Sequence, residues 1–319
     1  MRGFVANTDH DQWAVLRSIV PAVDEVNHWR PAAEKAFRAL QPGEPFFFKL
    51  KAPHNAIAGF GYFAHFSHLP TTLAWEVYGQ ANAAATYAEF REALVRLRSR
   101  SEIASPAKGD FSIGCILINQ PVFFDEAHWV RAPKDFASAI VQGKDYDLGR
   151  GEGRRIWLEC LERAATARTG LESLLQGHLP DATHGSSSTA AASMFRPRLG
   201  PRSFRIAVLD AYGRRCAVTG ERALPALDAA HIRDFGDAPE HTVSNGMLFR
   251  IDIHRLFVAG YVTVTPSHRF AVSRRIREEF DNGSDYERLH GARIRLPENP
   301  ADHPLVEALW WHNEQRFLG

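Results

Sequence analysis

The 319-residue chain has only three cysteines, Cys115, Cys160 and Cys216, and none stands in a C-x-x-C pair. That removes a disulfide framework and a cysteine zinc site. No apolar window approaches the roughly 20 residues needed to span a bilayer, and Met1–Phe4 does not open a basic stretch followed by an apolar one. No membrane partner and a cytoplasmic location are therefore expected. An excess of one charge is missing too. Residues 1–150 hold 16 Lys+Arg against 16 Asp+Glu, and residues 200–319 again hold 16 against 16. A nucleic-acid partner cannot rest on bulk electrostatics here and would need local clusters of cations. H-E-x-x-H and G-x-S-x-G are also absent, which disfavours a zinc protease or a serine hydrolase.

What is present is ordinary globular composition, 45% hydrophobic and 24% charged, at a length that suggests two domains. Up to about residue 150, short apolar runs at Phe46–Leu50, Ala58–Phe66, Ile113–Ile118 and Pro121–Phe124 read as strands. Trp13–Ile19 and Tyr87–Arg98 carry apolar residues at helical spacing, so this half is α+β, most simply a barrel or half-barrel. Residues 151–199 read as a helix over Gly153–Leu175 and then a flexible linker rich in small residues, Gly185–Thr189 among them. Residues 200–319 form a second unit that opens with a helix at Ser203–Tyr212.

Within that unit the chain reads Leu227-Asp-Ala-Ala-His231-Ile232, then Ser244-Asn245-Gly246, then Ile253-His254-Arg-Leu-Phe257. Thirteen residues separate His231 from Asn245, and eight separate Asn245 from His254. This ordered set resembles the HNH, or ββα-metal, nucleases. The resemblance implies phosphodiester hydrolysis with a divalent metal ion such as Mg²⁺, Mn²⁺ or Ni²⁺. Its chemistry needs a base to activate water and a cation to stabilise the developing charge. His231 is the candidate general base. Asn245 is the candidate support, holding either the ring or the intervening loop. His254 is the candidate metal ligand, with Asp228 as a further carboxylate donor. Asp252 serves equally as a ligand or as an acid at a helix N-terminus. Taken alone, His231 would be a satisfied interior histidine and Asn245 a turn residue; their joint spacing argues otherwise. His241, His268, His290, His303 and His312 fall outside the pattern and read as surface or packing residues. Arg233, Arg250 and Arg255 flank the motif and could hold phosphate or simply face solvent. Relatives often carry an acid where this chain has Val258, four residues past His254.

The first half contains Asp24-Glu-Val-Asn27-His-Trp29, Pro45-Phe-Phe-Phe-Lys49, Ala52-Pro-His-Asn55 and Ala74-Trp75-Glu76. It resembles the EVE-type domains of the PUA superfamily, which are fused to HNH modules in modification-dependent (type IV) restriction endonucleases. That resemblance implies recognition of a flipped, modified base in double-stranded DNA, with a 5-substituted cytosine as the expected target. Such a reader stacks the base on an aromatic face and hydrogen-bonds its edge. Trp29 and Trp75 are the stacking candidates, and Asn27, Asn55 and Lys49 the polar ones. The sequence thus suggests an endonuclease with a PUA-like domain at 1–150 and an HNH domain at 200–319. One site cuts one strand, so double-strand cleavage needs a homodimer or two sequential nicks. Two other readings stay open. One is a non-catalytic binder of modified nucleic acid with a degenerate HNH domain. The other is a nuclease whose first domain reads RNA.

Overall fold

Phe46, Phe47 and Phe48 are consecutive and all fully buried, which requires a strand covered on both faces. They lie in β3 (Pro45–Leu50). The computed structural model describes residues 1–32, 36–100, 109–176, 199–233 and 241–319, with the main chain alone for 167–176. It divides into two units, Met1–Pro197 and Arg198–Gly319.

In the first unit β3 joins β1 (Arg2–Thr8), β2 (Glu25–Arg30), β4 (Ala56–Pro70), β5 (Ser112–Phe123), β6 (Val130–Arg131) and β7 (Gly143–Asp147) in one sheet. The strand order is β2-β5-β4-β3-β1-β7, with β6 on β4. β1 and β3 run parallel, and the other pairs are antiparallel. Among the described residues no pairing joins β2 to β7, so the hydrogen-bonded path is open, as in a half-barrel. Register shifts between Phe60 and Tyr62 and between Phe63 and His65 bend β4. There the backbones approach closely: a Cβ on Gly59 would meet the Val122 carbonyl at 2.4 Å, and one on Gly61 would meet Ile118 at 2.5 Å. The two apolar runs at 113–118 and 121–124 fall largely within the single strand β5. Gln120 takes a positive φ of 50° and donates its N–H to the Asp24 carbonyl, so the strand turns there without ending.

Helices α1 (His10–Ile19), α2 (Thr71–Tyr78), α3 (Tyr87–Arg100) and α4 (Gly151–Gln176) complete the unit. α4 is more than a spacer. Ile156 and Cys160, one helical turn apart, are fully buried in the cluster containing Val5, Phe47, Ile57 and Phe60. Trp157 lays its ring edge-on to Phe47 and Phe60. The first turns of α4 thus belong to the sheet's core, beyond the division at residue 150. The linker expected over Gly177–Thr189 lies outside the described residues.

The second unit begins with α5 (Pro201–Ala211), where proline occupies the first turn that lacks an N–H partner anyway. The hairpin β8 (Leu227–His231) and β9 (Gly246–Arg250) follows, and α6 (Ile251–Val258) starts at once after it. Ile253 and Phe257, four residues apart, form the buried face of α6 and leave His254 half-buried at its side. A second hairpin, β10 (Val262–Val264) with β11 (Phe270–Val272), and helices α7 (Arg275–Phe280), α8 (Ser284–Glu287) and α9 (Val306–Gln315) finish the chain. Among the described residues no helix is long and apolar enough to cross a membrane.

Candidate functional site

The ββα arrangement of β8, β9 and α6 brings Asp228 to His254. Asp228 sits in β8 opposite Phe249, and its Oδ2 lies 2.9 Å from His254 Nδ1. The other carboxylate oxygen accepts from the Ala229 N–H and stands 3.6 Å from Arg205 Nε. Burial, the largest effect on this carboxyl, would raise its pKa. The hydrogen bond to His254, the nearby charges of His254 and Arg205 and the Ala229 N–H together hold it below the usual range. Asp228 is therefore an anion at neutral pH.

His231 ends β8, paired with Gly246 of β9. Its ring stacks on Phe204 of α5, with centroids 4.0 Å apart and planes 8° from parallel. Its Nε2 lies 2.9 Å from Nδ1 of His241. The sequence pattern had set His241 aside as a surface or packing residue; the structure places it directly against the candidate base. A lone histidine in a connecting segment carries no periodicity that could have revealed this. Phe204 was equally illegible, because an aromatic on a helix reads as core.

Gly246 makes the stack possible. A Cβ there would stand 2.5 Å from Val208 Cγ2 and 2.9 Å from Phe204 Cζ, so the strand can approach α5 only without a side chain. Asn245 is 1% exposed and its amide is turned on the loop, not on a ring. Its Oδ1 accepts the Arg233 N–H at 3.1 Å, and its Nδ2 donates to the Arg233 carbonyl at 3.0 Å. Its own carbonyl accepts the Ile232 N–H. Asn245 thus fixes the two residues that follow His231.

Asp252 is engaged elsewhere. Arg250 donates to both of its oxygens, at 2.7 and 2.6 Å, and the Tyr286 hydroxyl donates to one at 3.0 Å. Arg250 and Tyr286 outweigh the effect of burial and lower its pKa to about 2. Of its two expected roles, the structure assigns Asp252 to the first turn of α6, and Arg250 is its partner. Arg233 lies over the Trp311 ring at 5.8 Å, while Arg255 is exposed. Val258 is 59% exposed at the end of α6 and offers no donor. Among the described residues no group of three or more His, Cys, Asp or Glu side chains is placed to hold a metal ion. Asp228 and His254 are a pair of such side chains that do meet here. Their 2.9 Å separation suits adjacent ligands of one hard cation, since donors at about 2.1 Å on neighbouring octahedral vertices lie about 3.0 Å apart.

In the first unit the five residues expected to read a base fall into two groups. Trp29 is buried, donates its indole N–H to the Asn82 carbonyl at 2.8 Å, and packs edge-on against Phe90. Asn27 is 1% exposed and donates to Asn82 Oδ1 and Cys115 Sγ. Trp75, half-buried, packs on the same Phe90 and on Tyr87. The Trp29 indole N–H and the Asn27 amide N–H are thus engaged internally, by a partner, Asn82, more than 50 residues away, while Asn27 Oδ1 is buried without a hydrogen-bond partner.

Lys49 and Asn55 make the second group. The Lys49 ammonium contacts Asn7 Oδ1, the Leu50 carbonyl and Asn55 Oδ1 at 3.3, 3.1 and 3.4 Å, and lies over Phe136. Burial, with Lys51 nearby, lowers its pKa. Beside Asn55, His54 stacks on His10 at 4.9 Å, and both meet Trp129 edge-on. The Trp129 indole N–H is buried without a hydrogen-bond partner. These three aromatic residues were not foreseen from the sequence.

With the hairpin, its helix and the Asp228–His254 contact in place, the chain can be set beside known proteins. Residues 216–265 match the HNH endonuclease family. This span contains β8, β9, α6 and all of Asp228, His231, Asn245 and His254. No curated protein matches the chain. Solved structures similar to it include an ASCH protein from Zymomonas mobilis, at 12% identity and a TM-score of 0.29, covering 49% of this chain and 93% of that one. Another is a modification-dependent restriction endonuclease, TagI, at 12% identity and a TM-score of 0.27, covering 93% of this chain and 76% of that one.

Proposed function

We propose that the protein is a divalent-metal-dependent DNA endonuclease whose HNH segment cuts and whose first unit reads a modified base, a 5-substituted cytosine being the expected target. The observation that carries the nuclease reading is the Asp228–His254 contact, made by the hairpin and helix of the matched segment. In this reading His254 and Asp228 hold the cation, and the bound ion supplies charge stabilisation at the phosphate and at the leaving oxygen. Neutral His231 takes a proton from water: an O–H bond breaks, an N–H bond forms on the ring, and the freed electron pair makes the new P–O bond. The bond to the 3′ oxygen breaks, and that oxygen leaves with its electrons and is protonated from solvent. Asn245 keeps the backbone after His231 in place throughout.

For base reading we propose the polar and aromatic group of Lys49, Asn55, His54 and Trp129, because the Trp129 indole N–H is buried without a hydrogen-bond partner whereas that of Trp29 is used inside the fold; Asn27, whose Oδ1 is likewise buried without a partner, stays a polar candidate. Trp75, half-buried, remains a candidate stacking face. A homodimer or two sequential nicks would give double-strand cleavage. The proposed reading suits a restriction function against modified phage DNA.

The second reading is a non-catalytic modified-DNA binder, favoured by the two-donor site and by Val258 where a third donor would sit. One gel assay separates the two. The protein is incubated with unmodified, methylated, hydroxymethylated or glucosylated DNA, each with Mg²⁺, Mn²⁺, Ni²⁺ or EDTA. The proposal expects metal-dependent cleavage of one modified substrate, and none by His231→Ala, which keeps its fold and its DNA binding. Selective retardation without cleavage under every cation would establish the binder. Competition by modified RNA tests whether the first unit reads RNA instead.

A further inference from the structure

The reading of His231 as the base leaves one question of chemistry: which ring nitrogen takes the proton. Three contacts among the described residues bear on it. Strand pairing with Gly246 fixes the backbone of His231. The stack on Phe204 fixes the plane of its ring. A stack alone still permits rotation within that plane, and the contact of Nε2 with His241 Nδ1 at 2.9 Å removes it.

We propose that His241 is a positioning residue for His231: its Nδ1 accepts the Nε2–H of His231 and so makes Nδ1 of His231 the basic nitrogen. This inference rests on the proposed role of His231. Two neutral imidazoles can share one hydrogen between facing nitrogens in only two ways. If His231 donates from Nε2, its Nδ1 carries a lone pair and can accept a proton from water. If His241 donates instead, the Nδ1 of His231 already carries its hydrogen, and the ring has no basic nitrogen left. A general base at His231 is compatible only with the first arrangement, in which His241 carries its own hydrogen on Nε2. The hydrogen bond on one ring nitrogen selects the form of the other. When His231 gains the water proton it becomes an imidazolium, and its Nε2–H···Nδ1 bond to His241 becomes charge-assisted and stronger. His241 thereby favours the protonated state that the reaction creates without touching the substrate.

The test is the tautomer itself, read on the metal-free, DNA-free full chain labelled with ¹⁵N-histidine at pH 8. His231→Ala identifies the His231 signals. The wild type is expected to show a pyrrole-type Nε2 and a pyridine-type Nδ1 at His231. In His241→Ala both nitrogens move to the intermediate shifts of a tautomer mixture, while His241→Gln, whose amide oxygen can accept the same hydrogen, returns them. His241→Gln also serves should the alanine variant fail to fold. An Nδ1–H tautomer in the wild type, or shifts at His231 that neither variant moves, overturns the proposal. Because neither metal nor DNA is present, the result is independent of whether the protein cuts: absence of cleavage in the gel assay would remove the nuclease reading, and the tautomer would still report on His241. With cleavage in hand, His241→Ala is expected to lose kcat at unchanged KM, and His241→Gln to recover part of it.

Discussion

Asp228 Oδ2 and His254 Nδ1 lie 2.9 Å apart although they stand 26 positions apart in the chain, because β8 and α6 pack side by side in the second unit. If this pair holds the cation, both partners matter to binding, not only to turnover. By isothermal titration with Mn²⁺, His254→Ala is expected to abolish binding. Asp228→Asn is expected to weaken it about 10–100-fold, the range for a carboxylate that ligates or orients a ligand. Full affinity in Asp228→Asn would take the carboxylate out of the metal site.

Asn245 is a buried clamp with both ends of its amide in use. Asn245→Ala leaves the Arg233 N–H and carbonyl without those partners and is expected to cost about 1–3 kcal/mol in denaturant unfolding. Asn245→Asp keeps the acceptor and loses the donor, so its loss should be concentrated at the Arg233 carbonyl. Stability unchanged in both variants would contradict the clamp.

Gly246 gives a steric prediction. A methyl group would collide with Val208 and Phe204, so Gly246→Ala is expected to destabilise by about 1–3 kcal/mol, the usual cost of overpacking. It should also displace the Phe204 ring and with it the ¹⁵N signals of His231, whereas a distant surface Gly→Ala change should not.

Asp252 predicts a pH dependence. Its folded pKa is depressed to about 2, so its ion pair with Arg250 stabilises the fold above the unfolded carboxylate's range near 4 and is lost as pH falls toward 2. The melting temperature of Asp252→Asn should lie below that of the wild type at pH 7, with the gap closing between about pH 4 and 2. A gap that persists at pH 2 would mean that packing, not charge, is what the substitution removes.

In the first unit, Asn82 binds Asn27 and Trp29 and also donates to the Ala74 and Gly79 carbonyls. Asn82→Ala is expected to lower thermal stability while leaving preference among modified DNAs intact. Lys49→Met should lose selectivity, as read by competition binding, together with the stability that its buried contacts to Asn7, Leu50 and Asn55 supply. Selectivity lost only in Asn82→Ala would return base reading to the Trp29 side.

What the sequence made legible follows from range. Phe46–Leu50 announced a strand because four of its five residues are apolar, three phenylalanines in succession among them. Asp228, His231, Asn245 and His254 were singled out because their types and intervals together carry information that no single one does, and the structure brings Asp228 to His254. His241, Phe204 and the aromatic trio His10, His54 and Trp129 were not, since each acquires meaning only from a neighbour distant in the chain. The same limit hid the bond of the Trp29 indole: polar and aromatic residues on an alternating strand read alike whether the facing position holds solvent or Asn82.

The ring that stacks on His231 comes from α5, which ends at Ala211, before the segment 216–265 begins. The segment that carries the family likeness is therefore smaller than the unit that builds the surroundings of His231. Transplanted alone into another scaffold, it would bring Asp228 and His254 with it but leave one face of His231 bare. The smallest portable form of the site around His231 starts no later than Pro201.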